Sequence, residues 1–137
     1  MKILLDSSAY IELYGGNKSA AGFLESAHEI YINPVFLGEL RSGMLKGLNA
    51  AKRRANLERF LSLDRVVIIP IDNATSDVYA ELAQFLKESG TPIPTNDIWM
   101  AASAMQYGLK VLTADKHFLK IPQVMKEVFE VDNTATE

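Results

Sequence analysis

Short apolar runs alternate along this chain with longer stretches in which apolar residues recur at helical spacing. Ile3-Leu4-Leu5 is fully apolar and stops at Asp6, which predicts a first strand. A helix follows the Ser7-Ser8 cap and ends at Gly15-Gly16. Ala20, Phe23, Leu24 and Ala27 fall at i, i+3, i+4 and i+7, one face of a second helix. Residues 29–33 predict strand two, and Pro34 opens the next helix, where a missing N–H costs nothing. Leu37, Leu40 and Met44 stripe that helix, and Ala50, Leu57, Phe60 and Leu61 stripe another. Val66-Val67-Ile68-Ile69 is the clearest strand, β-branched throughout and apolar on both faces. Val78, Leu82, Phe85 and Leu86 predict a helix stopped by Ser89-Gly90 and Pro92. Thr95 or Asn96 caps a helix running to Gly108, residues 110–113 form strand four, and residues 129–131 form a weak fifth.

Strands that are apolar on both faces and alternate with helices imply an α/β fold. The expected architecture is a three-layer α/β/α sandwich around a central, mainly parallel sheet. In such folds ligands bind beyond the carboxyl ends of the strands, where the strand order reverses. At 137 residues the length fits one domain, taken as residues 1–132, with residues 133–137 a frayed tail. A content of 48% hydrophobic and 23% charged residues is that of a globular chain, not a disordered one. The absence of cysteine excludes a disulfide scaffold, a thiolate nucleophile, a zinc finger and an iron–sulfur site. The longest apolar run, residues 66–71, is far too short to span a bilayer. Asp6 ends the first apolar run before a signal-peptide core forms, so the expected location is the cytoplasm, with no membrane partner.

The residues just past the strands therefore carry the chemistry. Asp6 follows strand one and Asp115 follows strand four. Asp97 lies in the first turn of its helix, where Met100, Ala101, Ala104 and Met105 are its apolar neighbours. Glu39 shares a helix face with Val35, Phe36 and Gly43. Singly, each acid has an ordinary explanation as a cap, a dipole partner or half of an ion pair. Jointly they sit at one end of the expected sheet. At about 5 Å each pair would repel by roughly 3 kcal/mol at an effective dielectric near 20. Such a cluster either raises its own pKa values or holds a cation. Hard oxygen donors point to Mg²⁺, with Mn²⁺ as a substitute, and ions so held are suited to phosphodiester hydrolysis. Ser7, Ser8 and Thr113 are hydroxyls beside the acids, able to orient a carboxylate or simply to cap. His117 is expected in a surface or packing role.

These residues carry a resemblance. Residues 3–11 (ILLDSSAYI), 37–43 (LGELRSG), 93–102 (IPTNDIWMAA) and 112–118 (LTADKHF), in this order and spacing, resemble the PIN-domain family, and within it the VapC-type toxins. The resemblance covers nearly the whole chain. It implies a Mg²⁺-dependent endoribonuclease whose metal-holding, catalytic acids match Asp6, Glu39, Asp97 and Asp115. It also implies a tRNA or rRNA substrate, a cognate antitoxin partner and a homodimer that assembles further with antitoxin. One departure is Ala114, where the family often carries a polar or basic residue.

The net charge of -3 disfavours a polyanionic partner until its distribution is examined. Residues 41–65 hold seven basic and two acidic side chains, while the rest of the chain holds seven basic and 15 acidic ones. Arg41 and Lys46, expected on one helix with Glu39, are the candidates to bind RNA, with a solvated helix face as the alternative. Helices carrying Phe23, Leu24, Phe60 and Leu61 are candidates to receive an antitoxin helix, but core packing is the favoured assignment for most of these side chains. A haloacid-dehalogenase-like phosphatase would need a second Asp two residues after Asp6, where Ser8 stands. A receiver domain would need an Asp ending strand three, which runs instead into Pro70. A catalytically silent PIN module and a housekeeping RNA-processing nuclease remain the alternatives.

Overall fold

The structure, a computed structural model, describes residues 1–45 and 47–131. It contains β1 (Lys2–Leu5), α1 (Ser7–Tyr14), α2 (Lys18–Ser26), β2 (Glu29–Ile32), α3 (Pro34–Gly43) and α4 (Ala50–Leu61). These are followed by β3 (Val66–Ile68), α5 (Asn73–Glu88), α6 (Thr95–Tyr107), β4 (Lys110–Thr113), a 3-10 helix (Lys116–Lys120) and β5 (Lys126–Val128). The five strands form one parallel sheet in the order β3-β2-β1-β4-β5. The chain walks outward from β1 to β3, then returns across the sheet to β4 and β5. Right-handed crossovers send helices to opposite faces when the direction of travel reverses, giving the three layers. The reversal falls between β1 and β4, so the switch-point crevice opens beyond Leu5 and Thr113.

The centre of the sheet carries the core. Leu4 and Leu5 of β1 and Val111 and Leu112 of β4 are buried, between helices that contribute Phe36, Leu82, Leu86 and Met100. Each such side chain adds roughly 1.5–3 kcal/mol by leaving water. Two buried polar pairs fix helix positions. Asn33 caps α3 by accepting the Phe36 N–H at 3.0 Å, and its amide donates to Ser103 of α6 at 2.9 Å. Asn17 caps α2 and donates to the Glu130 carbonyl at 3.1 Å, tying down the chain after β5. Gly108 ends α6 with φ +66, a left-handed turn that a side chain disfavours, and aims the chain into β4.

Several expectations are corrected. The β-branched run at residues 66–69 forms an edge strand of three residues, and Ile68 is 53% exposed. Its continuous apolarity marks β propensity, not a central position. Strand five comprises Lys126–Val128, not residues 129–131. It too is an edge strand, half-buried and too polar in its first two residues to stand out. Asn33 lies past β2 as a cap. The cap of α6 is Pro94, so Thr95 and Asn96 lie inside its first turn. Phe36, Leu40 and Met44 are the buried positions around α3. The core packing expected of the helices with Phe23, Leu24, Phe60 and Leu61 is found: Leu24 and Phe60 belong to the core, and Phe23 and Leu61 pack against it. The tail expected at residues 133–137 lies outside the described residues.

Candidate active site

Asp6, Glu39, Asp97 and Asp115 come together at the switch point. Asp6 is the first residue past β1, and its N–H continues the sheet by donating to Leu112 O at 3.0 Å. Its side chain is buried and saturated on one oxygen. Oδ2 accepts from Ser8 Oγ at 2.6 Å and from Thr113 Oγ1 at 2.8 Å. The same two hydroxyls also accept, Ser8 from the Ala114 N–H at 3.1 Å and Thr113 from the Asp115 N–H at 2.9 Å. The start of α1 is thereby locked to the end of β4. Burial raises the Asp6 pKa; the two hydroxyl donors oppose that rise, and the charge of Asp115 reinforces it.

Asp97 sits in the first turn of α6, where its charge favours the helix dipole but its surroundings do not. Met100, Ala101 and Ala104 beside it are fully buried, and Asp97 itself is 7% exposed. Burial first, then the charge of Asp115, push its carboxyl up to about 6, against the pull of His117. Asp115 caps the 3-10 helix by accepting the His117 N–H at 2.9 Å. That tight turn folds the His117 ring back, placing Nδ1 2.9 Å from Asp97 Oδ2 and 3.0 Å from Asp115 Oδ1. The expected surface or packing role of His117 is therefore corrected: its ring lies among the acids. The signal was present as the spacing Asp115-x-His117 after a strand, a short turn that returns the second residue to the first.

Glu39, in the second turn of α3, stands at the open rim. Ser7 Oγ donates to its Oε1 at 3.2 Å, and the Asn96 side chain also bonds it. Partial shielding from water and the charge of Asp6 raise its pKa against those donors. The hydroxyls predicted to support the acids thus divide, Thr113 serving Asp6 and Ser7 serving Glu39. Ser8 acts with Thr113, and Asn96, expected only as a cap, acts with Ser7.

The basic stretch is partly structural. Arg65 donates to the carbonyls of Leu24 and Ala27 at 2.8 and 2.9 Å, closing the end of α2. Arg54 donates to Met44 O at 3.1 Å, and Arg59 bonds Asn56 on its own helix. Arg41 is exposed on α3, two positions beyond Glu39, and lies 3.9 Å from Glu58. Lys46 lies outside the described residues. A groove of about 700 Å³ runs between α1, α3 and α4, with Glu39 among its lining residues. Ile11, Tyr14 and Leu48 supply apolar walls, and Lys52 lines it as well.

Four carboxylates at one point, with an imidazole hydrogen-bonded to two of them, form a donor set suited to a divalent metal ion. Asp97, Asp115 and His117 each present one ligand atom, all within 4.8 Å of one another. Among the described residues no helix is long and apolar enough to cross a membrane.

Comparison with known proteins agrees with this architecture. The PIN-domain model matches residues 3–124. Ribonuclease VapC4 of Mycobacterium tuberculosis is 33% identical, the match covering 90% of this chain and 93% of that protein. Toxin FitB of Neisseria gonorrhoeae is 31% identical over 82% of this chain and 87% of its own length. Among solved structures, VapBC2 of Rickettsia felis, bound to a DNA fragment from its promoter, superposes with a TM-score of 0.82 and 25% identity. The alignment covers 95% of this chain and all of that one. The chain belongs to the PIN-domain family, among relatives named as VapC ribonucleases.

Proposed function

We propose that this chain is a Mg²⁺-dependent endoribonuclease, the toxin of a toxin–antitoxin pair, acting in the cytoplasm on tRNA or rRNA. The observation that carries the proposal is the meeting of Asp6, Glu39, Asp97 and Asp115 at the switch point, two of them buried. Asp6, Asp97 and Asp115 would hold the ion, with Glu39 at the rim. Mg²⁺, or Mn²⁺ in its place, supplies the Lewis acidity and positive charge that attack of water on an RNA phosphodiester requires.

The chain's own groups prepare that site. Ser8 and Thr113 engage Asp6 Oδ2, which fixes the orientation of the carboxylate. Ser7 and Asn96 steady Glu39 by hydrogen bonds to its carboxylate. Burial of Asp6 and Asp97 lowers the local dielectric, so a bound ion and a scissile phosphate interact more strongly than in water. Arg41 lies on the helix of Glu39 and would hold a flanking phosphate, with Lys46 beside it in sequence.

The antitoxin would lie in the groove between α1, α3 and α4. Its walls at Ile11, Tyr14 and Leu48 suit an apolar peptide segment, and Glu39 lines it too, so an occupant would reach the rim of the site. A structural relative that is a member of the VapBC family of toxin–antitoxin systems supports an antitoxin as the partner. The test is incubation of antitoxin-free protein with total RNA, in Mg²⁺ and in chelator, alongside Asp97→Asn. Cleavage by the wild type in Mg²⁺ alone is expected; RNA left intact under every condition would refute the proposal.

A further inference from the structure

The carboxylates of this site account for an oxygen-only metal centre, but one of the atoms gathered there is nitrogen. His117 Nδ1 lies 2.9 Å from Asp97 Oδ2, 3.0 Å from Asp115 Oδ1 and 3.2 Å from Asp115 Oδ2. A single ring N–H serves one acceptor well, so three oxygens around one nitrogen exceed what a hydrogen bond needs. The spacing has another reading. Metal–ligand bonds of about 2.1 Å in an octahedral set place neighbouring ligand atoms about 3.0 Å apart. The distances from Nδ1 to one oxygen of each aspartate match that edge. The backbone secures the arrangement, because Asp115 accepts the His117 N–H and holds the ring over its own carboxylate.

We propose that His117 is a metal ligand of this site, joining Asp97 and Asp115, and that its nitrogen makes this position prefer a first-row transition ion over Mg²⁺. The proposal rests on the metal-dependent reading above. Imidazole binds transition ions well and Mg²⁺ poorly, whereas carboxylates accept either. An Asp97–Asp115 pair alone would discriminate little between Mg²⁺ and Mn²⁺; the added imidazole shifts the balance towards Mn²⁺.

Ion binding to the RNA-free protein tests this apart from activity. Mn²⁺ is titrated by electron paramagnetic resonance and Mg²⁺ by calorimetry, for wild type, His117→Gln and Asp97→Asn. Pulsed resonance on the Mn²⁺-loaded wild type is expected to show coupling to a ¹⁴N nucleus, lost in His117→Gln. That variant should lose at least about tenfold in Mn²⁺ affinity and less than about threefold in Mg²⁺ affinity. The nitrogen coupling is read on the wild type, so it needs no variant to fold. Mn²⁺ bound in an Asp97-dependent manner without nitrogen coupling would overturn the role of His117 and leave the nuclease reading standing. Failure of the wild type to bind either ion would overturn both.

Discussion

Replacing Asp97 by Asn keeps the shape of the side chain and removes its charge, so the variant isolates what that charge costs the fold. Burial and Asp115 raise the Asp97 carboxyl from 3.8 to about 6. At 1.36 kcal/mol per unit, that rise opposes folding by about 3 kcal/mol once the group is ionised. The folded state holds this proton more tightly than the unfolded chain. Stability therefore falls as pH climbs from about 4 to about 6, and levels off above. In chelator at pH 8, Asp97→Asn should be more stable than wild type by about 2–3 kcal/mol, raising the melting temperature by roughly 6–12 °C. The advantage should shrink towards pH 4. Saturating Mg²⁺ should erase that advantage, since an ion at 100 times its Kd adds about 2.7 kcal/mol to wild type alone. Calorimetric melts at pH 4, 6 and 8, in chelator and in Mg²⁺, measure all of this. An Asn variant less stable than wild type at pH 8 without metal, or equally advantaged at pH 4, would refute the reasoning.

With limiting Mg²⁺, kcat/KM should rise with pH through about 6 as Asp97 ionises, and saturating Mg²⁺ should move the midpoint lower; a profile flat from pH 5 to 8 would remove Asp97 from the metal site. Thr113→Val deletes one of two donors to Asp6 Oδ2 and should weaken Mg²⁺ binding about 10–100-fold by calorimetry. Ser7→Ala, at the exposed rim, should weaken binding less than Thr113→Val, by under about tenfold. Arg65→Ala should cost roughly 1–3 kcal/mol in urea unfolding and leave RNA affinity unchanged, because its two acceptors are backbone carbonyls. Arg41→Ala should leave stability within about 0.5 kcal/mol and reduce the salt slope of RNA binding by about one.

The order of elements was legible because periodicity reports burial, and burial in a parallel sheet is nearly continuous along each central strand. Leu4, Leu5, Val111 and Leu112 announce themselves for that reason. The edge strands do not. β5 is half-exposed and its residues Lys126 and Glu127 look like loop, while β3 is so β-branched that it looks central. The four acids could be singled out because each follows a strand or interrupts an apolar helix face. Their partners were harder to see. His117, Ser8 and Asn96 are polar residues near turns, where capping explains them equally well until the Asp115 turn and the pairing of β1 with β4 are known. The basic stretch misled in part. Charge counted along the sequence does not distinguish Arg65, bound to two carbonyls at the end of α2, from Arg41, which faces solvent.

The central claim is that converging carboxylates make this chain a metal-dependent nuclease for RNA. Its most direct test is the cleavage rate of a purified tRNA or rRNA across a Mg²⁺ titration, with the product ends identified, for wild type, Asp6→Asn and Asp97→Asn. The account predicts wild-type cleavage that rises with Mg²⁺ and saturates, leaving 5′-phosphate and 3′-hydroxyl ends, with no cutting in chelator or by either variant. Cleavage that persists in chelator, an Asp97→Asn variant as fast as wild type, or 2′,3′-cyclic phosphate ends would contradict it.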